Sequence, residues 1–130
     1  MAQPDERLER QLETYSQEVQ AALGARIVCL PETGLPGHRD QVGPVPDVSV
    51  QALDEALEAV ADAARRAGVV TVVGAERPTP AGREIVSVVF GDDGSRRGEQ
   101  VKTQIDPTEE RWYVAGTGRR VFAVGDVTFG

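Results

Sequence analysis

The chain is poor in the residues that most often betray a site. It has one cysteine, Cys29, and one histidine, His38. A lone cysteine excludes an intramolecular disulfide and a cysteine-rich zinc site, and a lone histidine argues against a histidine-based metal centre. Aromatic residues make up only 5%, so a core must rest on Val, Leu, Ile and Ala. No run reaches the roughly 18 apolar residues of a membrane span, and the N-terminus MAQPDERLER is acidic and polar, unlike an export signal. Basic residues are outnumbered: the net charge is −7, and no basic patch stands out. That balance excludes nonspecific binding to nucleic acid or to an anionic membrane, which needs concentrated Lys and Arg. A soluble protein of a reducing cytoplasm is expected.

What is present suits one domain. With 130 residues, 40% of them apolar and 27% charged, a chain hides roughly two thirds of its unfolded surface on folding. Leu8, Leu12, Tyr15, Val19 and Leu23 recur at steps of three or four and predict a helix over residues 5–23, stopped by Gly24. RIVCL predicts a strand over 26–30, buried on both faces. Residues 33–48, with three Pro and three Gly, read as a long loop. A second helix is predicted over 49–67, capped by Asp47 or Ser49 and ended by Gly68. Strands are predicted over 69–75, 84–90, 99–105 and 119–129, the last as a pair, RRVFAV and DVTFG, bracketing Gly125 and Asp126, with PTPAG breaking the chain after the first and GDDGS forming a hairpin turn after the second. The order α, β, α, β and then strands indicates a layered α/β domain.

Few residues could carry chemistry. Glu32 follows the strand end IVCLP, where loops of open α/β sheets build sites and partial desolvation would favour a general base. A solvated loop acid beside a proline turn is the simpler reading of this residue alone. Lys102 is the only lysine among 14 Lys and Arg residues, which suits a position needing a compact ammonium rather than a planar fork. Its alternation with Gln100 and Gln104 also fits the polar face of a strand. Glu109 and Glu110 in DPTEERWY could start a helix, or one of them could hold the Lys102 ammonium. Cys29, with nothing basic beside it, reads as a small buried residue with an inert thiol. His38 and Arg39 lie in the long loop and could touch a substrate, though solvation there is the simpler reading.

In order, GARIVCLPETGLPG, AGVVTVVGAE, VVFGDDGS, VKTQIDPTEERWYVAGTG and VFAVGDVTFG resemble the nitrilase superfamily of carbon-nitrogen hydrolases, over nearly the whole chain from about residue 8. The resemblance implies part of an α-β-β-α sandwich and a Glu, Lys, Cys triad acting on non-peptide amides, nitriles or carbamoyl compounds, with no metal or organic cofactor required. Glu32 matches the general base, Lys102 the lysine, and Glu110 the second glutamate of many members, with Glu109 a close rival. The nucleophilic cysteine would lie beyond Gly130, and Cys29 cannot replace it because it sits three residues before the base on the same strand. The resemblance therefore implies a truncated domain, inactive alone, with an open sheet face rich in Val and Phe. Homo-oligomers, or association through that open sheet, are expected. The alternatives are a small noncatalytic α/β module that binds a partner through the exposed sheet, and an unrelated α/β domain whose Glu32 and Lys102 are surface residues.

Overall fold

The structure is a computed structural model and describes residues 4–22, 24–37 and 47–130. Leu23, His38 and Arg39 lie outside the described residues, as does most of the long loop. Among the described residues are two helices and six strands. Helix α1 (Pro4–Ala21) opens on a proline, which suits a first helical turn. It buries Leu8 and Val19 and packs Leu12 and Tyr15 against the same core. Helix α2 (Val50–Ala67) is capped by Ser49, whose hydroxyl accepts the Ala52 N–H at 3.1 Å, and is closed by Gly68 at φ 65°. Its buried stripe is Leu53, Ala56, Leu57, Val60, Ala63 and Ala64.

Leu53 is 2% exposed. Leu53→Ala is therefore expected to cost about 2–5 kcal/mol through a cavity, and Ser49→Ala about 1 kcal/mol through a lost cap. Urea midpoints of the two variants should rank in that order; a larger loss for Ser49→Ala would contradict this packing.

The main sheet has the order β1-β2-β3-β4, comprising β1 (Ile27–Cys29), β2 (Val70–Thr79), β3 (Gly82–Phe90) and β4 (Arg96–Val101). β1 runs parallel to β2, with α2 in the connection, and the remaining pairs are antiparallel. Successive side chains of a strand alternate between faces. Val73, Ala75, Val86 and Val88 join the helices in the core, and Val101 packs against it. Residues one step away, Glu76, Ile85 and Lys102, therefore point to the opposite face. β5 (Phe122–Val124) and β6 (Val127–Phe129) form a separate hairpin, with Phe122 stacked on Phe129 at 5.7 Å. Arg26 ties this hairpin to the start of β1 by pairing with Asp126 at 2.6 Å.

Several expectations are corrected. β1 is not buried on both faces: it lies at the sheet edge, Ile27 and Val28 are half-buried, and Cys29 is exposed. A continuous apolar run does not show how many faces are covered. The break at PTPAG is narrower than expected: β2 runs on to Thr79, and Pro80 and Ala81 alone turn the chain into β3, with Thr79 opposite Gly82. β4 ends at Val101 rather than 105. Further on, Asp106 takes both the N–H and the hydroxyl of Thr108 on its Oδ1, at 2.9 and 2.6 Å, which turns the chain. The pair expected around Gly125 and Asp126 forms, but each of its strands is only three residues long. Nor is a broad Val and Phe face open. Val70, Ile85 and Val89, on the face away from the helices, are buried, Phe90 belongs to the helical core, and the large apolar side chains that stand exposed among the described residues are Val50 and Val121. Val70 and Val89 sit beneath the β5–β6 hairpin, lining one cavity with Val121, Phe122 and Val124.

Candidate active site

The two edges of the sheet each release a short excursion, and the site lies where these meet. On the β1 side, the Leu30 N–H donates to the Val72 carbonyl at 2.8 Å, and the chain then leaves the sheet. It returns at Leu35, whose N–H donates to Gly74 at 3.2 Å and whose carbonyl accepts the Glu76 N–H at 2.8 Å. Residues 31–34 arch over β2 in between. The arch needs Gly74: a Cβ there would lie 2.2 Å from the Pro31 carbonyl oxygen and 2.8 Å from the Glu32 Cα. Thr33, fully buried, holds φ at 48°, a left-handed conformation that is costly for a β-branched residue. Helix α1 braces the far side, with the Tyr15 hydroxyl donating to Gly34 O at 3.0 Å and the Gln11 amide to Pro36 O at 2.6 Å. This scaffold leaves the Glu32 side chain 47% exposed at the crest.

On the β4 side, the Lys102 N–H still donates to Ile85 O at 2.8 Å, just past the strand end. The chain then departs through the Asp106 turn. A single helical turn follows, in which the Trp112 and Tyr113 N–H groups both donate to Glu109 O. The chain rejoins β3 where the Val114 N–H donates to Arg83 O at 2.8 Å, and the Gly116 N–H closes back on Lys102 O at 2.9 Å.

The Lys102 Nζ lies 3.1 Å from Glu32 Oε1 and 3.1 Å from Glu109 Oε2. The structure thus brings together Glu32, Lys102 and Glu109. Glu109 is buried, whereas Glu110, the preferred match by resemblance, is exposed and lines a neighbouring cavity with Asp47, Arg83, Arg111 and Trp112. The sequence could not separate adjacent glutamates in one helical turn, because which of them faces Lys102 depends on how the turn rejoins the sheet. Cys29, expected to be buried, stands exposed on β1. Sequence reasoning passed over Gly74 and Tyr113; a glycine inside a strand pattern was the signal for the first.

Burial of the Lys102 ammonium works against its charge, but hydrogen bonds to Glu109 and Glu32, together with their charge, outweigh it and raise the pKa above the ordinary lysine value. Asp106, nearby, is held below the usual carboxylate range by the Thr108 hydroxyl and N–H, aided by Lys102. A lysine with a higher pKa folded than unfolded adds stability that is complete below about pH 10.4 and is lost as pH rises through the folded value. Tyr15, whose phenol is raised chiefly by burial, gives a slope of the same sign. Lys102→Met keeps Tyr15 and should flatten only the lysine part of the alkaline loss in urea stability. Identical alkaline slopes would show that the ion pairs do not form.

Among the described residues no cluster of three or more His, Cys, Asp or Glu could hold a metal ion, and no helix is long and apolar enough to cross a membrane. A model of the carbon-nitrogen hydrolase family matches residues 2–130. The chain belongs to the carbon-nitrogen hydrolase family. Its fold is the mixed α/β arrangement found in the α-β-β-α sandwich of nitrilase-superfamily amidases. This carbon-nitrogen hydrolase chain superposes on an amidase from Nesterenkonia sp. with TM-score 0.70 at 22% identity, covering 97% of this chain and 48% of that one. A mutant of the Nesterenkonia sp. AN1 amidase in complex with butyramide gives TM-score 0.70 at 22% identity, with the same coverage of 97% and 48%. Glutamine-dependent NAD+ synthetase from Acinetobacter baumannii, in complex with ADP, gives 0.72 at 19% identity, over 98% of this chain and 24% of that one. No match to a curated protein was found. The chain spans about half the length of the amidases it matches, and at these identities the likeness speaks for the fold.

Proposed function

We propose that this chain supplies the base and the cation of a carbon-nitrogen hydrolase site that acts on non-peptide amides, nitriles or carbamoyl compounds. The observation that carries the reading is the Lys102 ammonium held at 3.1 Å from each of two carboxylates, on excursions from opposite edges of one sheet. Glu32, half-exposed at its crest, takes the proton of a cysteine thiol supplied from beyond Gly130. The thiolate attacks the carbon of the amide or nitrile, negative charge builds on the former carbonyl oxygen or nitrile nitrogen, and Lys102 stabilises it. With an amide or carbamoyl compound, Glu32 passes that proton to the leaving nitrogen, which departs as ammonia or an amine; with a nitrile, a first water adds to the thioimidate before ammonia leaves. In each case the same glutamate activates the water that resolves the acyl-enzyme. Glu109, buried, keeps Lys102 charged and aimed.

Short aliphatic amides are the first substrates to try, because butyramide occupies one amidase of the same fold. The native gene product, isolated from its source, is expected to release ammonia from such an amide or from a nitrile or carbamoyl compound in a matching panel. The 130-residue chain alone is expected to release none. Release by the isolated chain, or none by the native product across the panel, would sink the reading.

A further inference from the structure

One buried carboxylate outside the trio is left without a role by the chemistry above. Glu76 is 5% exposed, in the middle of β2. Burying a carboxylate is costly unless partners compensate it, so such a group needs a reason. Its Oε2 accepts the Tyr113 hydroxyl at 2.9 Å, across 37 residues of sequence, and its Oε1 lies 3.5 Å from Arg83 Nε. Tyr113 is 4% exposed and ends the helical turn that begins at Glu109, its own N–H donating to Glu109 O at 3.1 Å. The Glu76 backbone N–H holds Leu35, where the Glu32 arch returns to the sheet. Across β3, Glu76 is paired with Ile85, whose carbonyl accepts the Lys102 N–H. One rung of the sheet thus runs from Leu35 through Glu76 and Ile85 to Lys102.

We propose that Glu76 is the positioning residue of this site: its backbone fixes the arch bearing Glu32, and its carboxylate, through Tyr113, fixes the turn bearing Glu109 against Lys102. The proposal deepens the reading above and rests on it, but it concerns where Glu109 stands and is read without any turnover. A loosened Tyr113 lets the turn drift. Glu109 then retreats from Lys102, while the residues of the β1 edge stay in place.

The test uses the single lysine of the chain, which gives one 13Cε resonance in 13C-lysine-labelled protein whose shift against pH reports the ammonium directly. The charged groups facing it are Glu109, Glu32 and Asp106. Glu109→Gln sets the scale by lowering the Lys102 pKa. Tyr113→Phe, which keeps the ring and removes the hydroxyl, and Glu76→Gln should each lower it in the same direction by a substantial part of that drop. Leu53→Ala, destabilised in the helical layer, should leave it at the wild-type value. The proposal is overturned if Tyr113→Phe titrates like wild type while Glu109→Gln does not, and equally if Leu53→Ala shifts Lys102 as much as Tyr113→Phe. Should Glu76→Gln fail to fold, Tyr113→Phe carries the test. No shift in Glu109→Gln would instead dissolve the Lys102–Glu109 pair itself, and with it the reading on which the proposal rests.

Discussion

Gly74→Ala is expected to destabilise the chain by about 3 kcal/mol, the upper end of what overpacking usually costs, and to pull Glu32 off Lys102. The added methyl has nowhere to go. Its near neighbours are the Pro31 carbonyl oxygen, the Glu32 Cα and the Thr33 nitrogen, at 2.2, 2.8 and 2.9 Å, and all three belong to backbone rather than to a side chain that can swing away. The arch cannot simply rise, because Leu30 and Leu35 bond its two ends to β2 and Tyr15 and Gln11 hold its outer side. Relief must come from breaking one of these bonds or from lifting the crest with Glu32 on it. The urea midpoint and the Lys102 titration should therefore fall together. A variant as stable as wild type, with an unchanged Lys102 titration, would show that the arch does not rest on Gly74.

The second large effect is on turnover. In the native gene product, Glu32→Gln is expected to lower kcat by about 10³-fold, within the range that a lost general base produces, with a much smaller change in KM. The amide side chain keeps the length of the glutamate and can still offer Lys102 an oxygen, so folding should survive. What it cannot do is accept the thiol proton or activate water for the thioester. Lys102→Met should be comparably damaging for a different reason: the charge that builds in the transition state loses its counter-charge, and two carboxylates are left facing each other. If Glu32→Gln raised KM while leaving kcat intact, the residue would be binding substrate rather than moving a proton.

Much of this arrangement was legible in the chain. The helical periodicity of α1 and α2, the glycine and serine that bound α2, and the GDDGS turn are local signals, and local geometry decides them. Glu32 and Lys102 stood out because of where they fall: an acid at the end of an apolar run, and a lysine in a chain that otherwise uses arginine. Other features depend on which strand lies next to which. Cys29 looked buried because its neighbours are apolar, yet edge placement exposes it. The choice of Glu109 over Glu110 follows from the path by which residues 103–112 leave β4 and rejoin β3. The covered face of the sheet follows from the β5–β6 hairpin folding over Val70 and Val89, a long-range contact that no window of sequence contains.

The central claim is that Glu32, Lys102 and Glu109 serve a cysteine that this chain does not contain. Acrylamide, an amide that alkylates thiolates, tests it directly. The native gene product is treated briefly with limiting acrylamide, digested, and each cysteine's adduct is quantified by mass spectrometry, beside a Glu32→Gln variant. The account predicts one cysteine outside residues 1–130 that reacts far faster than exposed Cys29, and that slows sharply in Glu32→Gln. Preferential alkylation of Cys29, or a fast cysteine indifferent to Glu32, would contradict it.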